Sequence, residues 1–160
     1  TEQRPEARLL IVGDGPSRRR YQAQIHRRGL TGQVILLGRV PYDELIASGL
    51  IHHSLAFVTA STTENQPMTV IESICCGVPT IVPDVPGITE LVEENGLRFA
   101  PHDVERLAAT MLRFLREEGL RTTCAAATGP MIERFDGRNV AGQFEQVYRD
   151  ALENRQVPTG

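Results

Sequence analysis

Apolar residues fall into two alternating patterns along this chain. Short unbroken runs such as Leu9-Leu10-Ile11-Val12 and Val34-Ile35-Leu36-Leu37, bounded by glycine or proline, read as strands covered on both faces. The pattern predicts strands at 8–12, 33–37, 55–60, 78–82 and 97–100. It predicts helices at 16–29 and 41–48, a helix opening near Pro67 and closing at Gly77, and one helical turn at 88–92. Further on, Leu107, Met111, Phe114 and Leu115 recur at helical spacing, as do Val140, Phe144, Val147, Tyr148 and Ala151. Strands alternating with helices imply an α/β fold, a Rossmann-like parallel sheet with helices on both faces. In such a sheet the functional loops gather at the carboxyl ends of the strands. Gly13 to Pro16, Gly38 to Val40, Ser61 to Asn65 and Pro83 to Gly87 all fall there.

Composition narrows the classes. With 160 residues and 41% hydrophobic content the chain has room for one domain over 1–160, with 155–160 as a tail. Net charge is −3 and all 17 cationic side chains are arginine, which argues against a dedicated nucleic-acid binder. No apolar run reaches membrane-span length and TEQRPEAR at the start has no signal-peptide core, so a soluble cytoplasmic chain is the expectation. Cys75, Cys76 and Cys124 have no metal-ligand or redox spacing and read as packing residues.

The densest chemistry lies at 63–83. Glu64 and Glu72 stand with seven residues between them around a helix start, followed by a Gly turn and a strand. Asn65 or Gln66 occupies the N-cap position and Pro67 the first helical position, where its missing N–H costs nothing. Val70, Ile71 and Ile74 form an apolar face, and Thr69 and Glu72, three apart, share another. Free N–H groups at 66, 68 and 69 would meet an anion there, beside a hydroxyl and a carboxylate. A carboxylate at 72 on an otherwise apolar helix asks for a partner, and a ligand is the favoured one.

The E-x7-E pair, the Gly77-Val78-Pro79 that follows, Gly13-Asp14-Gly15-Pro16, Leu37 to Val40 and Asn95-Gly96-Leu97 together resemble the C-terminal, donor-binding domain of GT-B glycosyltransferases of family 4, the retaining glycosyl transferases of group 1. The resemblance covers residues 7–152. It implies that Glu72 accepts from the donor ribose and that Glu64 contacts the transferred sugar. Met68 and Thr69 would hold the diphosphate, Gly38, Arg39 and Val40 the base, with Gly13, Gly15, Asn65 and Gln66 completing the donor site. The substrate would be a UDP- or GDP-linked sugar, used without metal or resident cofactor.

Departures from the family pattern set further expectations. The Arg and Lys that bracket the diphosphate in such enzymes have no counterpart here, and the chain holds no lysine. The acceptor-binding N-terminal domain is also missing, so the chain is expected to be a fragment that does not turn over alone. An interior strand would precede residue 7, and its absence would open a sheet through which copies could associate. Plainer readings stand beside these. The Gly13 to Pro16 segment could be a tight turn only, and His52 and His53 ordinary loop residues. Arg18, Arg19, Arg20, Arg27 and Arg28 read as a solvated helix face, their functional alternative being an anionic-lipid contact in a peripherally membrane-associated enzyme. The alternative function is a non-catalytic Rossmann-like module for a nucleotide or partner. A flavodoxin-like receiver is disfavoured, since no strand ends in the aspartate and lysine it needs.

Overall fold

The structure, a computed structural model, describes residues 6–64 and 67–153. Asn65, Gln66 and the tail at 155–160 lie outside them. The chain divides into two compact units, one ending at Leu50 and the other beginning at Ile51. Among the described residues the strands pair in parallel, in two sheets flanked by helices, with one isolated antiparallel bridge between Gly13 and Gly38.

The first unit contains β1 (Leu9–Val12), α1 (Arg18–Arg27), β2 (Val34–Gly38) and α2 (Tyr42–Ala47). β1 pairs with β2 from Leu9 opposite Val34 to Val12 opposite Gly38, with a register shift between Ile11 and Val12. All four β1 residues stay more than a third exposed, from 36% at Leu10 to 40% at Val12, although their unbroken apolar run predicts cover on both faces. α1 starts later than predicted, because Pro16 and Ser17 form a turn that precedes it. Arg19, Arg20, Arg27 and Arg28 are exposed as expected of a solvated face. Arg18 is half-buried and corrects that reading: its Nη2 donates to the Leu36 carbonyl at 3.2 Å.

The second unit holds β3 (Phe57–Val58), α3 (Met68–Cys75), β4 (Thr80–Pro83), a 3-10 turn (Thr89–Leu91), β5 (Gly96–Phe99), α4 (Val104–Arg116), α5 (Glu118–Ala126), α6 (Thr128–Arg134) and α7 (Gly137–Glu153). Its sheet runs β3-β4-β5, with the fully buried β4 in the middle. Side chains alternate across a strand, and β4 uses both faces. Val82 joins Val70, Ile71, Ile74, Ile88, Leu91, Val92 and Met131 in one core, so α3 and α6 cover that face. Ile81 joins Phe99, Phe114 and Cys124 in another, where α4 and α5 lie. Burial pushes the Cys124 thiol up, against a smaller opposing pull from Arg113, which suits packing rather than reactivity. β4 and β5 approach closely because residue 96 lacks a side chain. A Cβ there would overlap the Thr80 carbonyl oxygen and sit 2.8 Å from its hydroxyl.

Sequence patterning anticipates α4 and α7 but not α5 or α6. α4 opens on Asp103, whose side chain accepts from the Arg106 N–H at 2.9 Å. Asp103→Ala is expected to lower stability by about 1 kcal/mol, the usual worth of an N-cap, read by urea denaturation. An unchanged midpoint would show that the cap contributes nothing. On α7, Val140, Phe144, Val147, Tyr148 and Leu152 form a stripe at helical spacing and all are exposed. Among the described residues no helix is long and apolar enough to cross a membrane.

Candidate functional site

In the second unit the site residues gather at the start of α3. Pro67 is the N-cap, with φ −75° and ψ 90°, so the helix opens at Met68 and not at Pro67 as the sequence suggests. The φ is compatible with a helix, whereas the extended ψ is not. Pro67 offers its carbonyl to the N–H groups of Val70, at 2.9 Å, and Ile71, at 3.3 Å. The N–H groups of Met68 and Thr69 keep no acceptor among the described residues, and both residues are exposed. No acidic side chain occupies this first turn, leaving the positive end of the helix dipole uncompensated from within the helix.

Glu72 lies one turn further on, with Val70, Ile71, Ser73 and Ile74 buried around it. It is half-buried, and its carboxylate has no hydrogen bond or ion pair among the described residues. The spacing from 68 and 69 to 72 places it on the side of α3 that Met68 and Thr69 share. Glu64 is exposed and tied locally: its Oε1 accepts from the Ser61 hydroxyl at 2.8 Å. Ser73, behind this face, donates to the Thr69 carbonyl at 2.7 Å. Asn65 and Gln66 are outside the described residues.

Gly77 closes α3 at φ 73°, its N–H bonded to the Ile74 carbonyl at 2.8 Å. His52 fixes the same end, with Nδ1 2.9 Å from the Cys76 carbonyl, so this histidine has a structural task. At Cys75 burial, then Cys76, then Glu72 push the thiol up, against any role as a nucleophile. Asn95, fully buried, accepts from the Glu93 N–H at 2.8 Å and donates to the Leu91 carbonyl at 3.2 Å, which explains the Asn95-Gly96 landmark as architecture.

The first unit brings together two loops at the carboxyl ends of β1 and β2. Gly13 (φ 120°) donates its N–H to the Gly38 (φ 75°) carbonyl at 2.7 Å, and both backbone conformations favour glycine. Asp14 accepts from the Gly15 N–H at 2.8 Å, and a Cβ added at Gly13 or Gly15 would meet nothing within 4 Å. Arg39 is exposed and Val40 half-buried. Arg18 stands beside Gly38, at the end of β2, and is hidden in sequence by the run Arg18-Arg19-Arg20. No group of three or more potential metal ligands occurs among the described residues.

Comparison with known proteins gives a consistent family. The family model described as "Glycosyl transferases group 1" matches residues 1–128. The D-inositol 3-phosphate glycosyltransferase of Acidothermus cellulolyticus is 31% identical over 158 residues, covering 94% of this chain and 34% of that protein. The N-acetyl-alpha-D-glucosaminyl L-malate synthase of Bacillus anthracis is 27% identical over 150 residues, covering 92% of this chain and 38% of that protein. Among solved structures, sucrose-phosphate synthase from Thermosynechococcus elongatus superposes with a TM-score of 0.78 at 27% identity, covering 94% of this chain and 40% of that one. Anabaena Alr3699/HepE in complex with UDP shares the fold at a TM-score of 0.79 and 24% identity, covering 91% and 42%. The chain thus spans well under half the length of these relatives.

Proposed function

Because the chain belongs to the group 1 glycosyl transferases, we propose that it is the part of a retaining GT-B enzyme of family 4 that binds a nucleotide-sugar donor. One observation carries the reading: an α3 N-terminus whose Met68 and Thr69 N–H groups have no acceptor among the described residues and, one turn away, a half-buried carboxylate with no partner among them. A nucleoside diphosphate meets both needs at once. Its phosphates accept from Met68 and Thr69, and its ribose hydroxyls donate to Glu72. Glu64 takes hydroxyls of the transferred hexose, Gly38, Arg39 and Val40 hold the base, and Gly13 and Gly15 leave room beside it. Solved relatives carrying UDP, such as Alr3699/HepE and the pneumococcal O-GlcNAc transferase GtfA, favour UDP among the candidate nucleotides.

In this proposal the bond between the sugar anomeric carbon and the terminal phosphate oxygen breaks, and negative charge grows on the departing diphosphate. Fixed N–H dipoles at the start of α3 stabilise that charge, so neither metal nor resident cofactor is required. An acceptor hydroxyl then attacks on the face the diphosphate leaves, its proton passing to the departing phosphate oxygen, so that configuration is preserved. The acceptor-binding surface belongs to sequence beyond this chain, and these 160 residues alone are proposed to be inactive in transfer. The share of each relative that the chain spans supports that division.

Titrating UDP-, GDP- and ADP-sugars against the chain, followed by NMR, tests the reading. The amides of Met68 and Thr69 are expected to move most in the second unit, and with one base preferred. A titration in which no nucleotide shifts either amide would rule out the donor site.

A further inference from the structure

Of the three consecutive arginines that open α1, Arg19 and Arg20 are exposed whereas Arg18 is half-buried. Its guanidinium reaches to β2, where Nη2 donates to the Leu36 carbonyl at 3.2 Å. Nη1 is buried with no hydrogen-bond partner among the described residues. It fills the space that a side chain at residue 38 would take: a Cβ on Gly38 would lie 2.9 Å from Nη1, 3.5 Å from Cζ and 3.7 Å from Nη2.

An unpaired buried donor on a charged group opposes folding. An unbranched apolar side chain of similar length would fill the space without that cost, which points to a task other than stability. Nη1 is closed off, so its task is met within the protein and not on a ligand. The guanidinium instead holds the carbonyl of Leu36 and occupies the space beside Gly38 that a side chain there would need, at the end of β2. Its rigid plane donates to the one and fills the space beside the other, a shape that a flexible ammonium lacks. The Gly13 N–H on the Gly38 carbonyl, at 2.7 Å, holds the same turn from the other side of the residue, directly before Arg39 and Val40.

We propose that Arg18 is a positioning residue for nucleotide-base recognition: it holds the turn at Gly38, Arg39 and Val40 so that its backbone groups face the base. The proposal rests on the donor-binding reading above. Arg18 thereby sets the preference for base-bearing ligands over base-free ones and does not act on the sugar or the diphosphate.

The test compares the unaltered chain with Arg18→Met and Arg18→Lys in NMR titrations with UDP, GDP, ADP and the base-free ribose 5-phosphate, after thermal melts of each. Arg18→Met is expected to weaken the preferred nucleotide about fivefold or more, to leave ribose 5-phosphate affinity unchanged, and to melt no earlier than the unaltered chain. Arg18→Lys should fall between, keeping the charge but not the fork. Equal losses for base-bearing and base-free ligands, or none, would overturn the proposal. Should Arg18→Met fail to fold, the base-dependent loss must appear in a folded Arg18→Lys, and its absence there overturns the proposal equally. If the unaltered chain binds no nucleotide, the donor reading itself falls and this proposal with it. If Glu72→Ala abolishes nucleotide binding while Arg18→Met leaves base preference intact, only the role of Arg18 falls.

Discussion

Gly96→Ala is expected to cost more than about 3 kcal/mol, enough that the second unit folds poorly or melts roughly ten degrees earlier. The added methyl would overlap the Thr80 carbonyl oxygen, a backbone atom in the central strand that no rotamer change can move. Relief requires β5 to part from β4, which disturbs the four-residue register from Thr80 opposite Gly96 to Pro83 opposite Phe99. Phe99 then shifts from the core that it shares with Ile81 and Phe114. Gly119→Ala is the control: a Cβ there meets nothing within 4 Å, and alanine in a helix is favoured over glycine by about 0.5–1 kcal/mol. Thermal melts of both variants check the pair. A Gly96→Ala protein as stable as the control would mean that the two strands yield far more easily than their packing implies.

The same residue shows what sequence can and cannot reveal. Gly96 stands out as part of a familiar Asn-Gly landmark, yet its reason, close approach to Thr80, depends on a strand sixteen positions away. Strand runs were legible because both faces of β4 are buried, which leaves a continuous apolar signature from Thr80 to Pro83. α3 was legible from its proline, its apolar face and Gly77, though its first residue shifted by one because Pro67 is extended. α5 and α6 escaped: their buried positions, Cys124, Thr128 and Met131, keep helical spacing but are small, polar or isolated among alanines, and Gly129-Pro130 reads as a break. Pro130 is in the first turn of α6, where its missing N–H is harmless. Arg18 was misread because a charge run conceals which member turns inward, and only the path of β2 decides that.

Glu72→Ala is expected to weaken nucleoside diphosphate and sugar nucleotide alike, by about tenfold to a hundredfold, since hydrogen bonds to a charged group contribute roughly 1.5–3 kcal/mol and both ligands carry the ribose. The structure sharpens this expectation by separating affinity from stability. Glu72 has no partner within the described residues to lose, and alanine is the better helix former, so melting should hold or rise while binding falls. A carboxylate present for folding would give the opposite pattern. Glu64 should behave differently. Among the described residues this exposed side chain meets the Ser61 hydroxyl and no other group, so Glu64→Ala costs little stability, and if it serves the sugar alone it leaves diphosphate affinity nearly unchanged while weakening the intact donor. In the complete enzyme it should lower turnover more than donor binding, because the sugar carries the developing positive charge that a nearby carboxylate offsets. Calorimetry of both variants with both ligands, alongside melts, decides the matter. Identical patterns from the two substitutions, or losses that follow melting temperature alone, would remove the distinct roles proposed for the two glutamates.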